Sequence, residues 1–131
     1  MRKTFYVNPV PASRPRVTRW STFFPKKYTQ FKEDMKLALN DVQFIPQTGN
    51  LYVELTFYVA IPKSWSKKKK AAKEGKYCDN NADIDNYCKA ILDSLEGIYF
   101  ENDNQVVMIR AIKRYSSDPR IEYFQEELTD E

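Results

Sequence analysis

Histidine is absent from the chain. That absence removes Ser-His-Asp triads, His-bearing zinc sites and every nuclease that uses an imidazole as its general base. Glycine occurs only at positions 49, 75 and 97, too sparsely for a Walker phosphate loop or a dinucleotide fingerprint, so no nucleotide cofactor is expected. The two cysteines, Cys78 and Cys88, lack metal-ligand spacing and follow no secretory segment, so they are expected as reduced thiols. Apolar runs of membrane-spanning length are also missing, which predicts a soluble, cytoplasmic protein without membrane contact. Acids are absent from residues 1–30, where Arg2, Lys3, Arg14, Arg16, Arg19, Lys26 and Lys27 stand unopposed. Such a segment suits a polyanion, although the net charge of the whole chain is only +3. The chemistry left open must use carboxylates, lysine or a metal.

With 131 residues, 42% hydrophobic and 15% aromatic, the chain can bury one core and no more, so residues 1–131 are expected as a single domain. Alternation over residues 4–8 predicts a short first strand running into an extended, proline-stiffened segment. Phe31, Met35, Ala38, Leu39 and Val42 recur at three and four residues and predict a helix over about 27–42. Leu51, Val53, Leu55, Phe57 and Val59 share one face of a strand that Pro62 stops. Residues 63–82 carry seven lysines and little to bury, so they read as a solvated basic loop with a helical turn at most. Ile84, Cys88, Ile91, Leu92 and Leu95 form the stripe of a second helix, with Gly97 just past its end. Strands over 105–112 and 121–124 and a frayed acidic tail from about 126 complete the order β-α-β-loop-α-β-β. The fold class expected is α+β, a mixed sheet with two main helices.

Asp83 and Asp85 open the second helix, and Asp85, Lys89 and Asp93 follow at i, i+4 and i+8 on its polar face. Each has an ordinary reading: an N-cap for Asp83 or Asp85, an i+4 ion pair with Asp85 for Lys89, and a solvated residue or structural partner for Asp93. A cap needs one acceptor, however, while Asp-Ile-Asp-Asn spends three polar positions around one apolar anchor. Carboxylates at a helix N-terminus are favoured as anions and suit a hard cation, Mg²⁺ before zinc. Asp103, in Glu-Asn-Asp-Asn, reads alone as a turn residue. The second helix is about 20 Å long, and the residues between Gly97 and Asp103 can retrace that length if the chain runs straight back. Asp103 is then expected at the start of the helix, as a third carboxylate.

Asp83-Ile-Asp85-Asn86-x-x-Lys89-Ala-Ile-Leu-Asp93-x-Leu followed by Asp103-x-Gln105-Val106-Val107 resembles the RusA family of phage-type Holliday junction resolvases. Pro-Ala-Ser-Arg-Pro-Arg-Val-Thr-Arg and Ile-Pro-Lys-Ser-Trp-Ser-Lys-Lys-Lys upstream are similar too, and the likeness spans roughly residues 5–125. It implies an α+β fold, a homodimer, dependence on Mg²⁺ or Mn²⁺, and paired symmetric nicks in four-way DNA junctions. On matching positions it implies that Asp83, Asp85 and Asp103 are metal-binding catalytic carboxylates and Lys89 a catalytic lysine. Asn102 departs from the pattern, since many members carry an acid there.

Arg14, Arg16 and Arg19 on a stiff segment can present guanidinium forks to phosphates, and Lys67, Lys68, Lys69 and Lys70 can offset repulsion between DNA and the acidic cluster. Surface solvation is the plain alternative for both groups. Trp65, Phe23, Phe24 and Tyr28 read as core, interface or base-stacking residues. Two rival functions remain: a non-catalytic junction-binding protein, and a metal-dependent hydrolase of small phosphate esters, against which the acid-free N-terminal segment argues.

Overall fold

The computed structural model describes residues 1–14, 16–23, 25–40 and 42–130; the side chains of Arg16 and Phe23 also lie outside the described set. Four strands form one mixed sheet in the order β1-β6-β4-β5. Its centre is β4, Asn50–Ala60, in which Leu51, Val53, Leu55 and Phe57 alternate onto a buried face. On one side β4 runs antiparallel to β6, Arg120–Leu128, which pairs in turn with β1, Arg2–Phe5. On the other side it runs parallel to β5, Val106–Ser116. Parallel neighbours need a long crossover, and both later helices lie within it.

The first helix, α1, spans Lys26–Ala38 and buries Tyr28, Phe31 and Met35. It stops short of residue 42 because the last turn tightens: the Leu39 N–H bonds to the carbonyls of Leu37 and Met35, and Val42 joins the core from the following loop. The third helix, α3, spans Ile84–Leu95 and turns Tyr87, Ala90, Ile91 and Leu95 into the core. Glu96 caps it and Gly97, at φ 85°, makes the left-handed exit expected of it. α1 and α3 both pack on the buried face of the sheet, where Phe5, Leu55, Tyr99 and Phe100 complete one core.

The structure is α+β, as the sequence indicates, with three additions. The lysine-rich stretch contains a helix, α2, Lys67–Lys73, whose N-cap Ser66 accepts from the Lys69 N–H. Trp65 edges onto Tyr115 at 5.2 Å between ring centroids and fixes this stretch to the sheet. A small hairpin, β2 (Arg16–Val17) and β3 (Thr22–Phe23), follows the proline segment. The C-terminal acids do not all fray: Glu126 and Glu127 pair with Tyr52 and Leu51, so β6 runs to Leu128. Both cysteines are free thiols, and among the described residues no helix is long and apolar enough to cross a membrane.

Candidate functional site

Asp83 occupies the N-cap position of α3 with extended backbone, yet its side chain makes no capping hydrogen bond. The capping explanation for this acid therefore fails, and its carboxylate is left facing solvent beside that of Asp85 in the first turn. The approach to Asp83 is held by a residue not anticipated from the sequence. Lys113 of β5 donates from Nζ to the Asn80 Oδ1 and the Ala82 carbonyl, both at 2.7 Å. Asn80 in turn donates to the Tyr87 hydroxyl at 2.9 Å, tying the loop to α3 itself. Tyr115 donates to Asp79 Oδ1 at 3.0 Å, the main reason the Asp79 carboxyl sits below its ordinary range. The available signal was a lysine at an inward position of a Val/Ile-rich strand, where an ammonium must find buried acceptors.

The basic segments converge on the same end of the molecule. The Ala12 N–H donates to the Asn86 carbonyl at 2.8 Å, so the chain leading to exposed Arg14 and to the β2–β3 hairpin leaves from beside Asp83 and Asp85. The hairpin tip carries Trp20, 86% exposed, with the Arg19 guanidinium 5.4 Å from its ring centre. The Arg16 side chain lies outside the described residues. Lys67, Lys68 and Lys69 are exposed on α2 and Lys70 is half-buried; the Lys69 ammonium lies 4.0 Å over the Trp65 ring. The chain leaving α2 bonds along the end of β5, through the Gly75 N–H to the Tyr115 carbonyl and the Cys78 N–H to the Lys113 carbonyl.

Asp103 does not return to the start of the helix within the chain. The Gly97 N–H bonds to the Phe100 carbonyl at 2.7 Å and Tyr99 and Phe100 are buried, so the chain turns on the spot instead of running back. A 3₁₀ turn, Asp103–Gln105, then leads directly into β5. Asp103 accordingly lies beside the C-terminal end of α3, its N–H donating to Glu96 Oε1 at 3.2 Å. It forms a cluster with Asp93 and Glu96 whose ligand oxygens fall within 4.8 Å of one another. The two ends of this 12-residue helix are about 18 Å apart. Lys89 lies between them and pairs with Asp93 at 3.3 Å, not with Asp85. Three carboxylates crowded at the negative end of a helix dipole repel it and one another, an arrangement that a hard cation relieves.

Asn102 and Gln105 set the position of Asp103. The Asn102 side chain accepts from the Asn104 N–H at 2.9 Å, which gives this departure from the acidic pattern a capping role. Gln105 Oε1 accepts from the Glu101 and Asn102 N–H groups, and its Nε2 donates to the Gln47 and Gly49 carbonyls.

An α+β domain with exposed carboxylates on one helix, flanked by arginine- and lysine-bearing segments, fits a protein of the nuclease class. More closely, the chain belongs to the RusA endodeoxyribonuclease family, whose model matches residues 7–123. It is also 33% identical over 130 residues to YqaN, an uncharacterized protein of Bacillus subtilis (strain 168), covering 91% of this chain and 90% of the relative.

Proposed function

We propose that the protein is a structure-selective endonuclease that nicks four-way and related branched DNA in symmetric pairs, using Mg²⁺, with Mn²⁺ as a substitute. The observation that carries this reading is the pair Asp83 and Asp85, exposed at the N-terminus of α3 and not consumed in capping. An all-carboxylate donor set without histidine or thiol suits a hard divalent ion. Such an ion, when bound, relieves charge on a phosphoryl oxygen and acidifies a water. Asp83 and Asp85 would hold it, Lys89 would counter charge that builds on the phosphate, and Arg14, Arg16, Arg19 and Lys67–Lys70 would grip the flanking backbone.

Within one chain Asp103 stands a helix length from Asp83, so the third carboxylate is assigned to a two-fold related copy. A homodimer that sets two α3 helices antiparallel places the partner's Asp103 beside Asp83 and Asp85, and makes two equivalent sites for the two strands of a junction. Such a substrate places the protein in the cytoplasm, that of the bacterial host if a phage or prophage encodes it.

The test is incubation with Mg²⁺ and end-labelled four-way, three-way and linear duplex DNA. Paired nicks in the four-way substrate are expected, with little cutting of the duplex, and Asp83→Asn should bind the junction without cutting it. Tight junction binding by the wild-type protein with no nick in either metal would instead support an architectural role, which the separation of Asp103 from Asp83 within one chain otherwise favours.

A further inference from the structure

We infer that the β2–β3 hairpin is a base-stacking pin, whose Trp20 indole packs on a bare base at the branch point while Asp83 and Asp85 face the strand beside it. The inference rests on the branched-DNA reading above and deepens it by naming the element that senses the branch.

Folding alone does not account for this hairpin. Among the described residues its strands pair only with each other, in a sheet separate from the main one, and a lone two-stranded hairpin is marginal in water. Every side chain from Val17 to Thr22 is exposed. The two tip residues are Arg19 and Trp20, where a two-residue turn favours Asn-Gly or Asp-Gly. Thr18 holds the tip in shape. Its Oγ1 accepts from the Trp20 and Ser21 N–H groups at 3.3 and 3.1 Å and donates to the Ser21 carbonyl at 3.0 Å. A large ring thus stands at the end of a braced turn, where it adds nothing to the core.

Charge and placement select the occupant. The Arg19 guanidinium lies 5.4 Å over the Trp20 ring. The other charges of the neighbouring chain, among them Arg14, Lys26 and Lys27, are all cationic, and no acid precedes Glu33. An aromatic ring among cations suits a π-face carried on phosphates, which is a nucleic-acid base.

The Ala12 N–H bond to the Asn86 carbonyl fixes the root of the hairpin one residue past Asp85. Six residues lead from Ala12 to Thr18, so the tip starts within about 20 Å of that root. Successive bases of one strand rise about 3.4 Å, so Trp20 works within roughly six nucleotides of a phosphate held at Asp83 and Asp85. A continuous duplex offers no bare face over that distance, because each base is covered by its neighbours. At a branch point the stack is interrupted and the flanking bases are open to the indole. Stacking there favours branched over linear DNA without reading sequence.

Fluorescence of Trp20 tests the pin without any cutting. In a Trp65→Phe chain, which keeps a ring against Tyr115, Trp20 is the sole indole. Titration in EDTA with a four-way junction should quench its emission, and a linear duplex of equal length should not. Trp20→Ala should bind the junction at least about five-fold more weakly with an unchanged circular dichroism spectrum, and Trp20→Phe should recover most of that loss. Equal quenching by junction and duplex overturns the pin, as does junction binding by Trp20→Ala at the wild-type affinity. Emission that responds to anionic phospholipid vesicles and not to the junction also overturns it, and assigns the hairpin to a membrane surface. Because these readouts need no metal, quenching by the junction with no nick in Mg²⁺ sinks the proposed activity and leaves the pin standing. Paired nicks without quenching do the reverse.

Discussion

Asp103 keeps its place through Gln105 and its own backbone N–H to Glu96, and among the described residues its carboxylate makes no hydrogen bond. One side-chain amide accepts from two N–H groups of the turn and donates to two carbonyls of the loop before β4. Gln105→Leu leaves four backbone groups to find water, at roughly 1–3 kcal/mol for each one that stays buried. A lower melting temperature and a loss of cleavage larger than any loss of junction affinity are expected. Cleavage at the wild-type rate by this variant would show that Asp103 needs no such anchor. Cys88 gives a second expectation, in pH. Burial, with the nearby Asp85 charge adding to it, pushes its thiol from an ordinary 9.0 up to about 11. The folded state thus holds the proton more tightly than the unfolded one, so the stabilisation is full below pH 9.0 and lost as pH rises toward about 11. Tyr115 and Tyr123, both raised chiefly by burial, act in the same direction. Urea midpoints should stay level through neutral pH and fall in alkali, and Cys88 should react slowly with thiol reagents at pH 8 until the protein is unfolded.

The elements that were legible in the sequence are those whose periodicity and burial agree. β4 turns Leu51, Val53, Leu55 and Phe57 to the core as read, whereas α3 was legible as a helix with its face displaced: Ile91 and Leu95 are buried, but Tyr87 and Ala90 join them while Ile84 is exposed and Cys88 and Leu92 are only partly covered. α2 was not, because a helix of lysines and alanines has no apolar face; Ser66 and the Trp65–Tyr115 contact hold it, and only the cap leaves a local trace. β6 hid its length because Glu126 and Glu127 look like a solvated tail until β4 supplies their partners. Of the candidate site, the placement of Asp83 and Asp85 at the start of α3 was legible and the location of Asp103 was not. Chain reach bounds where a residue can go, while burial of Tyr99 and Phe100 decided where it went. The basic elements can be separated by salt. If α2 contacts the DNA backbone, replacing Lys67, Lys68 and Lys69 by Gln should lower the log–log salt slope of junction binding by about 0.9 for each phosphate lost. Trp20→Ala on the hairpin should instead weaken binding to the four-way substrate more than to duplex, with little change in that slope, since stacking on unpaired bases releases no counterion. An unchanged slope for the triple variant would assign the α2 lysines to solvation.

At the scale of the whole molecule, one helix separates Asp83 and Asp85 from Asp103, and the proposed two-fold would rejoin them without moving either end. That arrangement makes a sharp statement about mixed subunits. Asp83→Asn and Asp103→Asn should each be inactive alone, since every site in either homodimer lacks one acid. In a mixed dimer one site loses both acids and the other keeps a full set, because Asp83 and Asp85 then come from the Asp103→Asn chain and the partner's Asp103 from the Asp83→Asn chain. Mixing the two inactive proteins should therefore restore cutting, at up to about a quarter of the wild-type site concentration when subunits exchange at random. The restored product should be a single nick per junction, not the symmetric pair. If each chain built its own site, both sites of the mixed dimer would be dead, and no ratio of the two variants would recover activity. Nicked junction appearing on mixing, measured against each variant alone, separates these outcomes directly.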